Sequence, residues 1–408
     1  MSRAMKDSGI PWIGEIPKDW ELCRFKNFVR LQTTPSVSNK KIGLENIESE
    51  TGKYIETESK FEGDGVQFYQ GDIVYGKLRP YLRKVWLATF DGNAVGDFFV
   101  FKARTGSDSN YVKWLLLSDG YTEAVNSSVY GAKMPRVSSD FILTLPYFLP
   151  PLPEQQRIAE FLNMKCGEID EAIALQEEFI EELKAYKQSV ITEAVTRGLN
   201  PNVKYKDSGI DWIGMIPERW HLSFLKNYYC FEKGKNASLY TKEYIGAKTG
   251  CYPVYSGQTG NNGIMGFIDS YDYDIDECVF TTTVGAKVMT PKILRGKFSL
   301  SQNCLIMKRK SSNVSNRFVY YWLHPLFNYC KSLIPTYMQP SLRIEDLQTY
   351  CMLFPPIDEQ QQIADYLDSK CTEIDSIITI KQRKIEELKD YKKSIIYEYV
   401  TGKKEVLK

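Results

Sequence analysis

EQQRIAEFLNMKCGEIDEAIALQEEFIEELKAYKQSVITEAVTR (residues 154–197) and EQQQIADYLDSKCTEIDSIITIKQRKIEELKDYKKSIIYEY (residues 359–399) decide the fold. Read at heptad steps, the first places Leu162, Ile169, Gln176, Leu183 and Val190 on one row. Cys166, Ile173, Ile180, Lys187 and Ala194 form a second row beside it. The second stretch repeats both rows with Leu367, Ile374, Lys381, Leu388 and Ile395, then Cys371, Ile378, Ile385, Lys392 and Tyr399. Alternating steps of four and three average about 3.5 residues, the period of a left-handed coiled coil. Gly167 is the one glycine in the two stretches, and neither holds a proline. Entry is marked by Pro153 and by Asp358, a predicted N-cap with Gln361 as its box partner. Exit is marked by Gly198 with Pro201, and by Gly402. Each helix is expected to run about 60–65 Å at roughly 1.5 Å per residue. The polar seam entries match between copies, Gln176 with Lys381 and Lys187 with Lys392, as register-setting residues do. An ordinary pair of core helices is the bland alternative. The near-identity of the copies favours two helices packed on each other as the spine of a pseudo-twofold molecule.

A second repeat precedes each helix. Lys6-Asp7-Ser8-Gly9-Ile10-Pro11-Trp12-Ile13-Gly14 returns as Lys206-Asp207-Ser208-Gly209-Ile210-Asp211-Trp212-Ile213-Gly214, and Trp20 and Leu22 return as Trp220 and Leu222. Glycine and proline at these spacings give an extended, turn-rich strap rather than a helix. Between strap and helix lie two intervals of mixed strand and short helix. In the first, Ile73–Tyr75, Val85–Ala88 and Phe98–Phe101 read as strands and Tyr111–Leu117 as a helix, with turns at Gly71-Asp72 and Asp91-Gly92. In the second, Val254-Tyr255, Cys278–Thr282 and Cys304–Met307 read as strands and Arg317–Leu323 as a helix. The plan is strap, globule, helix, twice. The fold class expected is α+β, two mixed α/β domains separated by two long helices in a pseudo-twofold internal repeat. The expected boundaries are 1–150, 151–205, 206–355 and 356–408. A constant scaffold carrying two unlike globules suggests that each globule reads a different target.

Composition bounds the function. With 43% apolar and 25% charged residues the 408-residue chain reads as globular. It has no apolar run long enough for a membrane span and no signal-peptide core at its start, so a cytoplasmic location is expected. Nine cysteines without a C-x-x-C pair, and two histidines, argue against a zinc site or disulfide framework. The net charge of +1 gives no global attraction for nucleic acid, so contacts must come from local basic patches. There is no phosphate-binding loop of the G-x-x-x-x-G-K-[ST] kind, no dinucleotide fingerprint after a strand, and no Asn-Pro-Pro-Tyr methylation motif. His221 and His324 stand apart from any nucleophile. No catalytic residue, metal ligand or cofactor site is assigned; the chain reads as a binding protein.

Two loops carry the binding chemistry. Lys77, Arg79, Arg83 and Lys84, interleaved with Tyr75 and Tyr81, form a run without an acid, and Lys133 and Arg136 repeat the composition in weaker form. Such cations pair with phosphate, and arginine also forks onto guanine. In the second globule, Tyr255, Ser256, Gln258, Asn261 and Asn262 offer amides and hydroxyls suited to adenine edges. Lys287 and Lys292 follow, and Gln339 and Arg343 parallel the Lys133–Arg136 loop. A solvated basic hairpin and a polar turn are the alternatives for these two loops.

The chain resembles the specificity subunit of type I restriction-modification enzymes. The resemblance spans essentially the whole chain. It rests on Pro150–Ala159 and Pro355–Ala364, then on Lys77–Tyr81 and Tyr252–Gly257, and then on the straps at Trp12 and Trp212. It implies two target-recognition domains separated by two helices in an antiparallel coiled coil, each domain reading one half of a bipartite duplex DNA site. It implies two modification subunits that supply S-adenosylmethionine and methylate adenine, and restriction subunits that supply ATP- and Mg-dependent translocation and cleavage. A stand-alone coiled-coil scaffold or RNA-binding protein is the alternative, and an enzyme in its own right is opposed by the missing motifs.

Overall fold

The computed structural model describes residues 3–10, 13–36, 40–129, 131, 133–257, 260–285, 287–335 and 337–406. The chain forms two compact units, Met1–Glu177 with Gln382–Lys408, and Glu178–Lys381. Two long helices, Leu152–Arg197 and Ile357–Val400, each give one half to each unit. Among the described residues no helix is long and apolar enough to cross a membrane.

In the first unit the strap is an antiparallel hairpin of Met5–Asp7 and Glu15–Pro17. Glu21–Arg24 then pairs antiparallel with Pro146–Leu149, the strand that leads into the first long helix. The main sheet is antiparallel in the order Val29–Gln32, Phe98–Ala103, Ile73–Gly76, Val85–Leu87. A smaller sheet of Pro35–Ser36, Gly65–Phe68, Gly92–Val95 and Lys41–Ile42 lies beside it in sequence, its last pair parallel. Val29, Ile73, Tyr75, Val85 and Phe101 of the main sheet and the helix Ser109–Leu117 share one core with Leu162, Cys166, Ile169, Ile395 and Val400 of the long helices, while Val74, Trp86, Phe98 and Val100 form a second core with Phe68 and Ala94 of the smaller sheet.

The second unit repeats the strap with Tyr205–Asp207 and Met215–Pro217, and the lead-in pair with His221–Phe224 and Cys351–Phe354. Its six-stranded sheet runs Tyr229–Lys233, Cys304–Arg309, Tyr273–Thr282, Pro291–Leu300, Tyr252–Tyr255, Ile264–Ile268. The first four strands follow the same antiparallel order as the first unit's main sheet. Two expectations change here, and Pro291–Leu300, to which no element is assigned above, is a ten-residue strand. Pro291 stands at its first position, where a missing N–H is tolerated, and Gly296 takes φ 75° beside the ladder irregularity between Ile275 and Cys278. The helix read at Arg317–Leu323 runs Asn316–Ser332, through Pro325, because its buried face outweighs the proline. Asp358 is not an N-cap: the helix begins at Ile357, and Gln360 N–H bonds Pro356 O at 3.0 Å.

The repeated Glu-Gln pair at each helix start explains how strap, globule and helix are tied together. Fully buried Trp20 donates its indole N–H to Glu154 at 3.2 Å, and Arg3 pairs with the same carboxylate. Gln155 donates to Pro150 O at 2.8 Å and Gly106 O at 2.9 Å and accepts Asp108 N–H at 2.8 Å. Asp108 caps the helix Ser109–Leu117, so one buried amide fixes two helix starts. In the second unit Trp220 donates to Glu359 at 3.0 Å, while Gln360 bonds Pro355 O, Asn313 O and Ser315 N–H at 2.9, 3.3 and 2.9 Å. Ser315 is again the cap of the following helix. The long helices end on left-handed glycines, Gly198 with φ 76° and Gly402 with φ 70°, a geometry that favours glycine.

Within each unit the two helices run antiparallel. In the first, the rings of Phe161 and Tyr399 lie 4.4 Å apart and Asp170 meets Lys392 at 2.6 Å. In the second, Phe179 lies 4.8 Å from the Lys381 ammonium and Asp375 meets Lys187 at 2.7 Å. Leu162, Ile169, Ile180, Val190, Leu367, Ile374, Ile385 and Ile395 are buried, and Ile173, Leu183, Ile378 and Leu388 are half-buried.

Candidate nucleic-acid interface

In the first unit the hairpin loop between Ile73–Gly76 and Val85–Leu87 carries a single 3₁₀ turn at Pro80–Leu82. Arg79 and Arg83 flank that turn in the left-handed region, with φ 51° and 47°. Arg79 N–H donates to Pro135 O at 2.7 Å and Val137 N–H to Lys77 O at 3.2 Å, while Leu78 bridges Arg136. The basic hairpin and the Lys133–Arg136 segment therefore form one surface, though they lie more than fifty residues apart in sequence.

The cations on that surface are not equivalent. Arg136 forks onto Asp97 at 3.1 and 2.9 Å, and the Lys77 ammonium lies 3.8 Å from the same carboxylate. Arg83 pairs with Asp119. The Lys84 ammonium donates to Leu44 O at 2.8 Å and Ile47 O at 2.6 Å, and burial pushes its pKa down. Lys84 and Arg83 thus hold the globule together rather than standing open to a ligand. Arg79, Lys133 and Tyr81 are exposed, with exposed Met134 beside them in the chain. Among the described residues the Arg79 and Lys133 side chains make no ion pair or hydrogen bond. Asp97 and Asp119 decide which cations stay available, and nothing local in the basic run announces them.

The second unit repeats the framework with other side chains. Leu342 N–H donates to Thr283 O at 2.8 Å and Val284 bridges Ser341, which joins the loop after Tyr273–Thr282 to the segment before the helix Ile344–Thr349. Lys287, Gln339 and Arg343 are exposed, as are Met338 and Tyr337, the latter at 86%. Ser256 N–H donates to Gly263 O at 2.8 Å, closing a turn in which Asn261 and Asn262 take φ 44° and 56°. Gln258 lies outside the described residues. Tyr255 is packed inward, its ring 5.9 Å from Phe280 and 6.0 Å from Phe298, so it supports the sheet instead of facing a ligand. Ser256, Asn262, Lys287 and Lys292 converge on a recess of about 190 Å³ with Phe280, Thr282 and Thr290. The two threonine hydroxyls come from strand ends that composition alone does not single out.

His221 is exposed, with its Nε2 3.3 Å from the Tyr228 hydroxyl. His324 is half-buried beside Tyr320. Neither adjoins a nucleophile-and-carboxylate arrangement in these contacts. Among the described residues no group of three His, Cys, Asp or Glu side chains is placed to hold a metal ion.

Comparison with known proteins bears on this architecture. The family profile described as type I restriction modification DNA specificity domain matches residues 218–390. The putative type I restriction enzyme MjaX specificity subunit of Methanocaldococcus jannaschii is 26% identical, over 96% of this chain and 95% of its own length. The type I restriction enzyme EcoDI specificity subunit of Escherichia coli is 31% identical over 35% of this chain and 34% of its own. A solved chain of a type I R-M system superposes with a TM-score of 0.74 at 18% identity, covering 95% of this chain and 99% of that one. The HsdS subunit of Thermoanaerobacter tengcongensis superposes with a TM-score of 0.53 at 18% identity, covering 97% and 99%. At that identity the two structures speak to the fold, and the sequence matches speak to the family. With its two-fold strap, globule and helix plan, the chain carries a match to the type I restriction modification DNA specificity domain over residues 218–390 and is similar over most of its length to specificity subunits of type I restriction-modification systems.

Proposed function

We propose that this subunit reads a bipartite duplex DNA site, one half-site for each recognition domain, and carries the specificity for adenine methylation and restriction by partner subunits. The recognition domains correspond to residues 1–150 and 206–355, and the long helices within 151–205 and 356–408 are the docking scaffold for two modification subunits and for restriction subunits. The partners bring S-adenosylmethionine, ATP and Mg; this chain positions them and does no chemistry itself. The setting is the cytoplasm, with the host DNA.

One observation carries the reading. The same main-chain bond builds the same surface in both units, Val137 to Lys77 and Leu342 to Thr283, yet exposed polar side chains on it differ, with Gln339 and Asn262 present in the second unit alone of the two sets described above. Arg79, Tyr81 and Lys133 suit phosphate and guanine, whereas Gln339, Asn262 and Lys287 suit adenine edges and phosphate. A shared frame with divergent, outward polar residues is what two distinct readouts require. Methylation-sensitive sequencing of a host that carries this gene with its modification subunit is the test. A motif of two fixed half-sites around an unread spacer is expected; no gene-dependent adenine methylation would favour the scaffold or RNA-binding alternative.

A further inference from the structure

The two units differ at one position that the framework makes comparable. Counting three residues back from Lys77 and from Thr283, which accept the same bond, pairs Val74 with Phe280. Their cross-strand partners are Trp86 and Lys292. Trp86 is 2% exposed, its ring 5.3, 5.5 and 5.0 Å from Tyr54, Phe68 and Phe90. The framework therefore accepts a large apolar side chain here and does not itself need a charge. The second unit nevertheless puts an ammonium at this place, inside the 190 Å³ recess.

The surroundings of that ammonium select for an anion. The Asn262 main-chain carbonyl accepts from it and fixes its position. Lys287 enters from the neighbouring loop, which the Thr282 hydroxyl pins by donating to the Lys287 carbonyl. Among the described residues no carboxylate lines the recess, and Ser256 and Thr290 add hydroxyls to its wall. Burial and the nearby Lys287 both lower the Lys292 pKa, so the two cations meet at a cost that an anion between them would relieve. Lysine is a compact point charge with rotatable donors, suited to a tetrahedral oxyanion. The volume is several times the roughly 30 Å³ share of a water, enough for one phosphate group.

We infer that the recess between Lys287 and Lys292, at a place where the first unit holds Trp86, is a phosphate-binding site, which seats either a backbone phosphate of bound DNA or a free phosphate. The first source rests on the DNA-reading role proposed above; the site itself does not.

The full-length chain is titrated with inorganic phosphate by calorimetry, and with a fluorescein-labelled mixed-sequence duplex by anisotropy over a range of salt. Lys292→Met is expected to weaken phosphate binding about tenfold, as loss of a charged hydrogen bond does. If the seat is filled by DNA, the same variant lowers the salt slope of duplex binding by about 0.9. Exposed Lys287→Ala is expected to act in the same direction and serves where Lys292→Met melts early; Lys292→Arg keeps the charge and retains binding. Lysine-dependent phosphate binding with an unchanged duplex slope supports the site with a free phosphate as its ligand. Lysine-dependent phosphate binding by a chain that takes no duplex supports the site and removes the DNA role. Duplex binding that is identical in wild type and both variants, with no lysine-dependent phosphate binding, overturns the site and leaves the DNA role standing.

Discussion

The Lys392 ammonium lies 2.6 Å from Asp170 Oδ1, a pair set in the seam where the start of one long helix meets the end of the other. Lys392 is 8% exposed, and Asp170 also takes Lys53 at 3.4 Å. The internal repeat reproduces the pair as Lys187 with Asp375 at 2.7 Å. Lys187 and Lys392, two of the three lysines recognisable in sequence as polar interruptions of the heptad, are thus half of two matched ion pairs, each with a carboxylate on the opposite helix. Removing one partner of such a pair leaves a charge in a poorly solvated place. Lys392→Met is expected to cost about 3 kcal/mol in urea denaturation, while Lys392→Met with Asp170→Leu recovers most of it. Equal losses in the single and double variants would contradict a coupled pair.

Lys84 and Arg79 separate structure from binding within one loop. Lys84→Ala removes an ammonium bonded to two main-chain carbonyls and is expected to cost about 1–3 kcal/mol of stability. It should leave the salt dependence of DNA binding unchanged. Arg79→Ala should leave the urea midpoint within about 0.5 kcal/mol of wild type. It should weaken cognate binding by about 1–3 kcal/mol if the guanidinium forks onto a guanine. The two variants are compared by denaturation and by binding of the complex reconstituted with its modification subunits. A stable, binding-deficient Lys84→Ala would reverse the assignment.

His324 gives the second unit an acid-sensitive limb. Burial, with Lys187 and Lys331 near, pushes its pKa down to about 4, and its Nε2 finds no partner among the described residues. The neutral ring is therefore the form that fits the fold, and the unfolded chain binds the extra proton. The stabilisation is full above about pH 6.5 and is lost as pH falls toward 4. Allowing for partial exposure, the loss is on the order of 2 kcal/mol. Asp368 and Asp375 also line the cavity that His324 faces, and their charges act to reduce the effect. His324→Phe should flatten the urea midpoint between pH 6.5 and 4.5 relative to wild type. Parallel pH profiles for the two proteins would remove His324 as the cause.

What the sequence made legible was local and periodic. Leu162, Ile169, Leu367 and Ile374 mark their helices at fixed steps, and the strap declares itself by repeating around Trp20 and Trp220. The Glu-Gln pairs were visible as repeats, but their purpose lay in partners far along the chain: Trp20, Gly106 and Asp108 for one, Trp220 and Ser315 for the other. The candidate site shows the same limit. A run of Lys and Arg is easy to see, whereas the carboxylates that neutralise it, Asp97 and Asp119, come from other elements. Pro291–Leu300 was hidden for a different reason, since proline, glycine and outward cations imitate a loop while the neighbouring strands impose the ladder.

In the proposed function each globule reads its own half-site on a shared scaffold. Replacing residues 223–355 with the equivalent interval of another specificity subunit tests it most directly, with the methylated motif of the host read by methylation-sensitive sequencing. One half-site is predicted to change to that of the donor while the other stays as in wild type. A motif in which both half-sites change, or in which the retained half-site is lost while the complex still methylates DNA, would contradict it.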